Sequence, residues 1–174
     1  MAKVVDAVID TDNGLFLVRD VSADSREALA AAFRARRIPG SRRGRLCVAV
    51  GGILVVRGAH QLTRPRVRIE VLATSGPEEP PWHWEEEATM ELATGRLVVA
   101  ADPSFPLDLP TVDLPAGPGR YRVALGHQGR TRLQQEAARV EAETQAATAD
   151  ETHAGWLSLD GIEEYLIRFW PDHR

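Results

Sequence analysis

In the stretch PPWHWEEEATMEL, residues 80–92, His83, Glu85 and Glu87 stand at alternate positions. Alternate side chains of an extended strand share a face, so one imidazole and two carboxylates could approach a single divalent cation. Zinc or manganese would need a further strong ligand from another strand. The remaining histidines, His60, His127, His153 and His173, fall in loop-like or terminal contexts, and the sequence recruits none of them. A metal-assisted hydrolase or isomerase using His83, Glu85 and Glu87 is therefore one alternative. The other is an antiparallel strand with one solvated face, and we take it. If Ala88, Met90 and Leu92 point inward, Trp84 shares their side, while His83, Glu85, Glu87, Thr89 and Glu91 face solvent. Glu86 breaks this parity and marks a strand edge, an arginine partner or a bulge.

Other catalytic patterns fail. Asp10-x-Asp12-Asn13-Gly14 begins like a calcium loop, but its glycine comes one residue early and Val21 occupies the place of the bidentate glutamate. No G-x-S-x-G elbow occurs, Cys47 sits in an apolar run that buries it, and VGGILVVRG lacks the lysine and hydroxyl of a phosphate loop. No catalytic residue, no metal ligand and no cofactor is assigned. The densest charge is the run Arg34, Arg36, Arg37, Arg42, Arg43 and Arg45. It can meet phosphates or an acidic protein surface, or be a solvated helix end, the commonest state of such a run; it is the candidate interaction patch. Stacking aromatics are missing near it except for Phe33, so nucleic-acid binding through this patch is an alternative rather than the leading reading.

The 174 residues carry a net charge of −4 that is divided unevenly. Residues 1–68 hold 13 Lys and Arg against 6 Asp and Glu, +7; residues 69–174 hold 8 against 19, −11. Such asymmetry points to a charged partner or to halves that neutralise each other on folding. No run of about 18 uncharged apolar residues is present to span a membrane. The acidic start MAKVVDAVIDTD does not resemble a signal peptide, and a lone Cys47 suits a reducing cytoplasm. We expect a cytoplasmic protein of one domain, residues 1–174.

Strand patterns dominate the chain that must position these groups. KVVDAVID, Asn13-Gly14 and LFLVRD predict a hairpin with a type I′ turn. LCVAV and ILVVRG around Gly51-Gly52 predict a second hairpin or a bulged strand. RVRIEVL alternates Val67, Ile69 and Val71 with charged residues, RYRVAL aligns Tyr121, Val123 and Leu125, and EEYLIRFWP aligns Tyr165, Ile167 and Phe169. The proline-rich DPSFPLDLPTVDLPAGPG predicts a surface connection. A helix is expected over about 24–38, opened by Asp24-x-x-Glu27, and a helical or mobile insertion over about 131–150. The fold class is mainly β, an antiparallel two-sheet sandwich with one or two accessory helices.

From residue 46 the succession of an apolar strand, a V-x-I-x-V strand, an acidic strand turning through TGRL into VVAA, then VDLPAGPGRYRVAL and EEYLIRFWP, resembles a widespread set of small uncharacterised bacterial proteins of actinobacterial type. It is more distantly similar to the competence-system inhibitor of the DNA-entry nuclease. That resemblance implies a β-sandwich and a non-catalytic protein that binds another macromolecule, with an inhibitor or immunity-like partner of a nuclease as its sharpest form. Another protein is the expected partner. No inhibitory residue carries over from the resemblance.

Overall fold

The computed structural model describes residues 3–36, 46–76, 79–84, 88–100 and 111–173. Two sheets face each other. The first contains β1 (Lys3–Val8), β5 (Arg66–Val71), β11 (Glu164–Pro171), β10 (Gly119–Gln128) and β6 (His83–Trp84) in that spatial order, with β7 (Ala88–Leu92) also on β10. The second runs β3 (Cys47–Val50), β4 (Ile53–Arg57), β2 (Leu15–Asp20), β8 (Arg96–Ala100) and β9 (Thr111–Asp113). Pairing is antiparallel except between β5 and β11. Among the described residues three helices accompany them: α1 (Arg26–Arg36), α2 (Arg130–Glu143) and α3 (Ala149–Leu157). The stretch 131–150, expected as a helical or mobile insertion, holds most of α2 and the start of α3.

The sandwich interior takes one residue in two from each strand: Phe16, Val18, Leu54 and Val56 from the second sheet; Val67, Ile69, Tyr121, Val123, Tyr165 and Ile167 from the first. The apolar runs LFLV and ILVV are continuous because the second sheet is covered on both faces. Leu17, Ile53 and Val55 lie on its outer side, under Leu29 and Ala32 of α1. Helix α1 is capped by Ser25, whose Oγ accepts from Ala28 N at 3.1 Å, rather than by Asp24.

The first sheet departs from the expected single wet face. In β11 Leu166, Arg168 and Trp170 are buried as well as Tyr165, Ile167 and Phe169. The chain after β5 folds back over this outer side. A Cβ on Gly76 would lie 3.3 Å from Arg168 Nη1, and the Trp84 ring takes the Arg168 guanidinium 4.9 Å from its centroid. Arg168 Nε completes the arrangement with Glu70 Oε2 at 2.8 Å.

Asn13 and Gly14 both have positive φ, 49° and 72°, as a type I′ turn requires. The hairpin predicted around them does not extend beyond the Asp12–Leu15 bridge, however. The first strand leaves to pair with β5 in one sheet while β2 joins β4 and β8 in the other. The Gly51-Gly52 hairpin forms as expected, Val50 opposite Ile53. The proline-rich connection contributes the edge strand β9, which buries Val112. Tyr121 anchors the next entry by donating its hydroxyl to Gly117 O at 2.7 Å, the device of a tyrosine corner.

Candidate functional site

The acidic strand divides into two segments with different registers. Met90 faces Tyr121 and Ala88 faces Val123, but Trp84 faces Gly126 and His83 faces His127. Three residues, 85–87, therefore separate β6 from β7 where β10 has only Ala124 and Leu125. Parity inverts across that interval, as an extra residue in an antiparallel pair demands. Met90 and Leu92 are buried and Glu91 is exposed, as expected. Trp84 does not join the core with them; it lies on the outer face over Arg168. His83 stands opposite His127, their ring centroids 5.6 Å apart, rather than on the Glu91 side. Glu85, Glu86 and Glu87 lie outside the described residues. Among the described residues no three His, Cys, Asp or Glu side chains converge as metal ligands. The arginine opposite Glu91 is Arg120, at 3.7 Å. Cys47 is half-buried on β3.

Of the arginine patch, Arg34 is exposed on α1 and Arg36 ends that helix. Arg37, Arg42, Arg43 and Arg45 lie outside the described residues.

The densest polar cluster is one the sequence did not single out. Glu163, 1% exposed, precedes β11 and accepts the Ala59 N–H on both oxygens, at 2.9 and 3.1 Å. Arg130 Nη1, at the start of α2, donates to Glu163 Oε1 at 2.7 Å, to the Arg57 carbonyl at 2.9 Å and to the Tyr165 hydroxyl. The Tyr165 proton is shared between Glu163 Oε1 at 2.7 Å and Arg57 O at 2.9 Å. Burial, and then the Glu163 charge, drive the Tyr165 phenol far above its ordinary pKa, so it remains a protonated donor. These groups satisfy one another. Chemically the cluster is a clamp that fixes the β4 exit and the first turn of α2 onto β11. Gly129 makes the approach feasible: its φ is 78°, and a Cβ there would stand 2.0 Å from Ile162 O.

The clamp sets the position of a helical end-piece. Leu133, Ala137, Val140 and Leu159 form a small core of their own with Ala59, Trp156 and Ile162. Helix α3 carries a full capping box: Thr148 Oγ1 accepts from Glu151 N, and Glu151 accepts from Thr148 N. The His60 ring stacks on Trp156 with centroids 4.8 Å apart, and its Nδ1 accepts from Leu62 N at 3.2 Å. An open depression of about 370 Å³ lies beside the clamp, bordered by Asn13, His60, Gln61 and Gln134.

At the opposite turns of the sandwich Asp20, 1% exposed, ends β2. Its carboxylate accepts from Ser22 Oγ (2.6 Å), Ser22 N, Thr94 N and Thr94 Oγ1 (each 2.9 Å). Burial alone would raise its pKa; the four donors outweigh burial and hold it below the ordinary carboxylate value.

The class defined by this geometry is a two-sheet β-sandwich carrying a helical end-piece. Two solved structures share it over nearly their whole length. "Crocagin biosynthetic gene J" aligns over 99% of both chains with a TM-score of 0.58 and 17% identity. ComJ of Bacillus subtilis, the inhibitor of the DNA-degrading activity of NucA, aligns over 99% of both chains with a TM-score of 0.52 and 13% identity. At these identities the likeness is one of fold. No protein-family model and no curated protein sequence matches the chain. No helix among the described residues is long and apolar enough to cross a membrane.

Proposed function

We propose that this chain is a non-catalytic protein that acts in the cytoplasm by binding another protein, and that its partner is a nuclease which it inhibits or to which it confers immunity. The observation that carries this reading is the full-length fold shared with ComJ, an inhibitor of a nuclease. The chemistry of the clamp supports it. Glu163 and Tyr165 are the clamp's two groups able to exchange a proton, and both are spent on their neighbours and on backbone. A general base needs a free lone pair within reach of a substrate proton, and here the carboxylate oxygens are already occupied. The net charge of −4 also favours a cationic protein over a polyanion as partner.

The test is affinity capture of the full chain from extract of its native host, followed by mass spectrometry and reconstitution with the recovered protein in pure form. The reading expects a one-to-one complex with a DNA-degrading enzyme. Recovery of no protein partner, together with turnover of a small molecule by the pure chain, would overturn it.

A further inference from the structure

Among the described residues two large hydrophobic side chains are exposed, Leu62 at 56% and Leu157 at 45%. Both border the same cleft, about 250 Å³ between α3 and the loop that precedes β5. A scattered exposed leucine needs no explanation; the convergence of both on one concave site does.

The cleft is built to hold these side chains in place. His60 accepts the Leu62 N–H, and the Trp156 ring beneath is stacked on His60, so Leu62 is displayed by a fixed backbone. Leu157 follows Trp156 on a helix whose start is locked by a capping box. Thr63 also lines the cleft; it is 2% exposed, and its hydroxyl finds no hydrogen-bond partner among the described residues.

The surroundings are acidic. Residues 131–162 hold six Asp and Glu against two Arg, a net −4. Asp10 and Asp160 line the cleft and share one cation, Arg64, at 3.0 and 3.4 Å. Asp150 lies one helical turn before His153 and two before Leu157, on the same side of α3. Glu141 approaches His60 Nε2 at 3.7 Å. Two apolar anchors inside a carboxylate rim form the complement of a basic protein surface that carries a central apolar side chain.

We infer that this cleft is the docking surface for the partner and that the partner presents a cationic face to it. The inference rests on the protein-binding reading above and locates its contact. A face that binds nucleic acid is cationic by necessity, so an acidic rim would cover it while the two leucines supply the contact area.

The experiment measures the affinity of the full chain for the purified partner recovered with the wild type. Leu62→Arg and Leu157→Arg each replace an exposed residue, so folding is preserved; thermal melts verify this. Leu157→Met serves as the conservative variant, and Arg26→Ala, at an exposed position of α1, as the control away from the cleft. Each arginine variant should weaken binding about thirtyfold, as loss of a central anchor does, and Asp150→Lys should weaken it further at low salt than at high salt. Arg26→Ala should bind as the wild type does, and Leu157→Met should lose far less affinity than Leu157→Arg. Wild-type affinity in both arginine variants would overturn the docking surface and leave the protein-binding reading intact. Self-association of the chain alone that Leu157→Arg abolishes would assign the cleft to a second copy and overturn it too. If the wild type recovers no partner, the protein-binding reading fails and the docking surface falls with it.

Discussion

Replacing Glu163 by Gln probes the clamp on which the helical end-piece depends. The carboxylate is 1% exposed and the Arg130 side chain 16%, so water cannot take over its role. Gln preserves shape and one acceptor oxygen. It leaves the guanidinium without its counter-charge and turns an NH2 toward the Ala59 N–H or the Tyr165 hydroxyl. Breaking a buried pair by removing one partner costs about 3–5 kcal/mol. Arg130 retains its bond to Arg57 O, so the lower end applies, about 3 kcal/mol. For a chain of this length that loss lowers Tm by about 6–12 °C. Urea melts followed by circular dichroism measure it, and a double-mutant cycle with Arg130→Met isolates the pair. The coupling should be about 2 kcal/mol, because each single variant strands the other group. A Glu163→Gln stability within about 0.5 kcal/mol of the wild type, or additive single losses, would refute the clamp.

Four further outcomes are expected. Asp20→Asn should cost about 2 kcal/mol, since charge-assisted bonds to Ser22 and Thr94 are lost. Because the folded pKa lies below the ordinary 3.8, this contribution is fully present above 3.8 and fades as pH falls through the lower folded value. The gap between wild-type and variant melts should therefore close only in that acid range. Gly129→Ala should cost at least about 2 kcal/mol, from positive φ and the Ile162 carbonyl 2.0 Å away. Gly51→Ala, with φ 57° but open space around its Cβ, should cost only about 1 kcal/mol in the same melts. Labelled duplex DNA should show no anisotropy change with the full chain at physiological salt; binding abolished by reversing Arg42 and Arg43 to Glu would contradict this.

The strands were legible where one rule decided them. Val67, Ile69 and Val71 alternate because one face of β5 is buried, and Gly51-Gly52 closes a hairpin by local conformation alone. Long-range pairing was not legible. Asn13-Gly14 specifies a turn, but not that the strands beyond it part into different sheets. Trp84 was misplaced because parity was carried across residues 85–87, where β10 offers only two residues for three. The clamp was invisible for a similar reason: Arg57, Ala59, Arg130, Glu163 and Tyr165 meet only once β4, α2 and β11 are assembled. The nearest local signal was Gly129 directly before Arg130, a glycine where a strand must become a helix. His60 and Trp156 stack from 96 positions apart, and no spacing rule reaches that far.

Whether the chain binds and silences a DNA-degrading enzyme, as proposed, is decided by titration. Increasing amounts of the pure chain are added to the nuclease recovered with it, and degradation of plasmid DNA is followed. Activity should fall linearly to an end point near one equivalent of chain, unaffected by DNA concentration once the complex has formed. Undiminished DNA degradation in the presence of excess folded chain would contradict it.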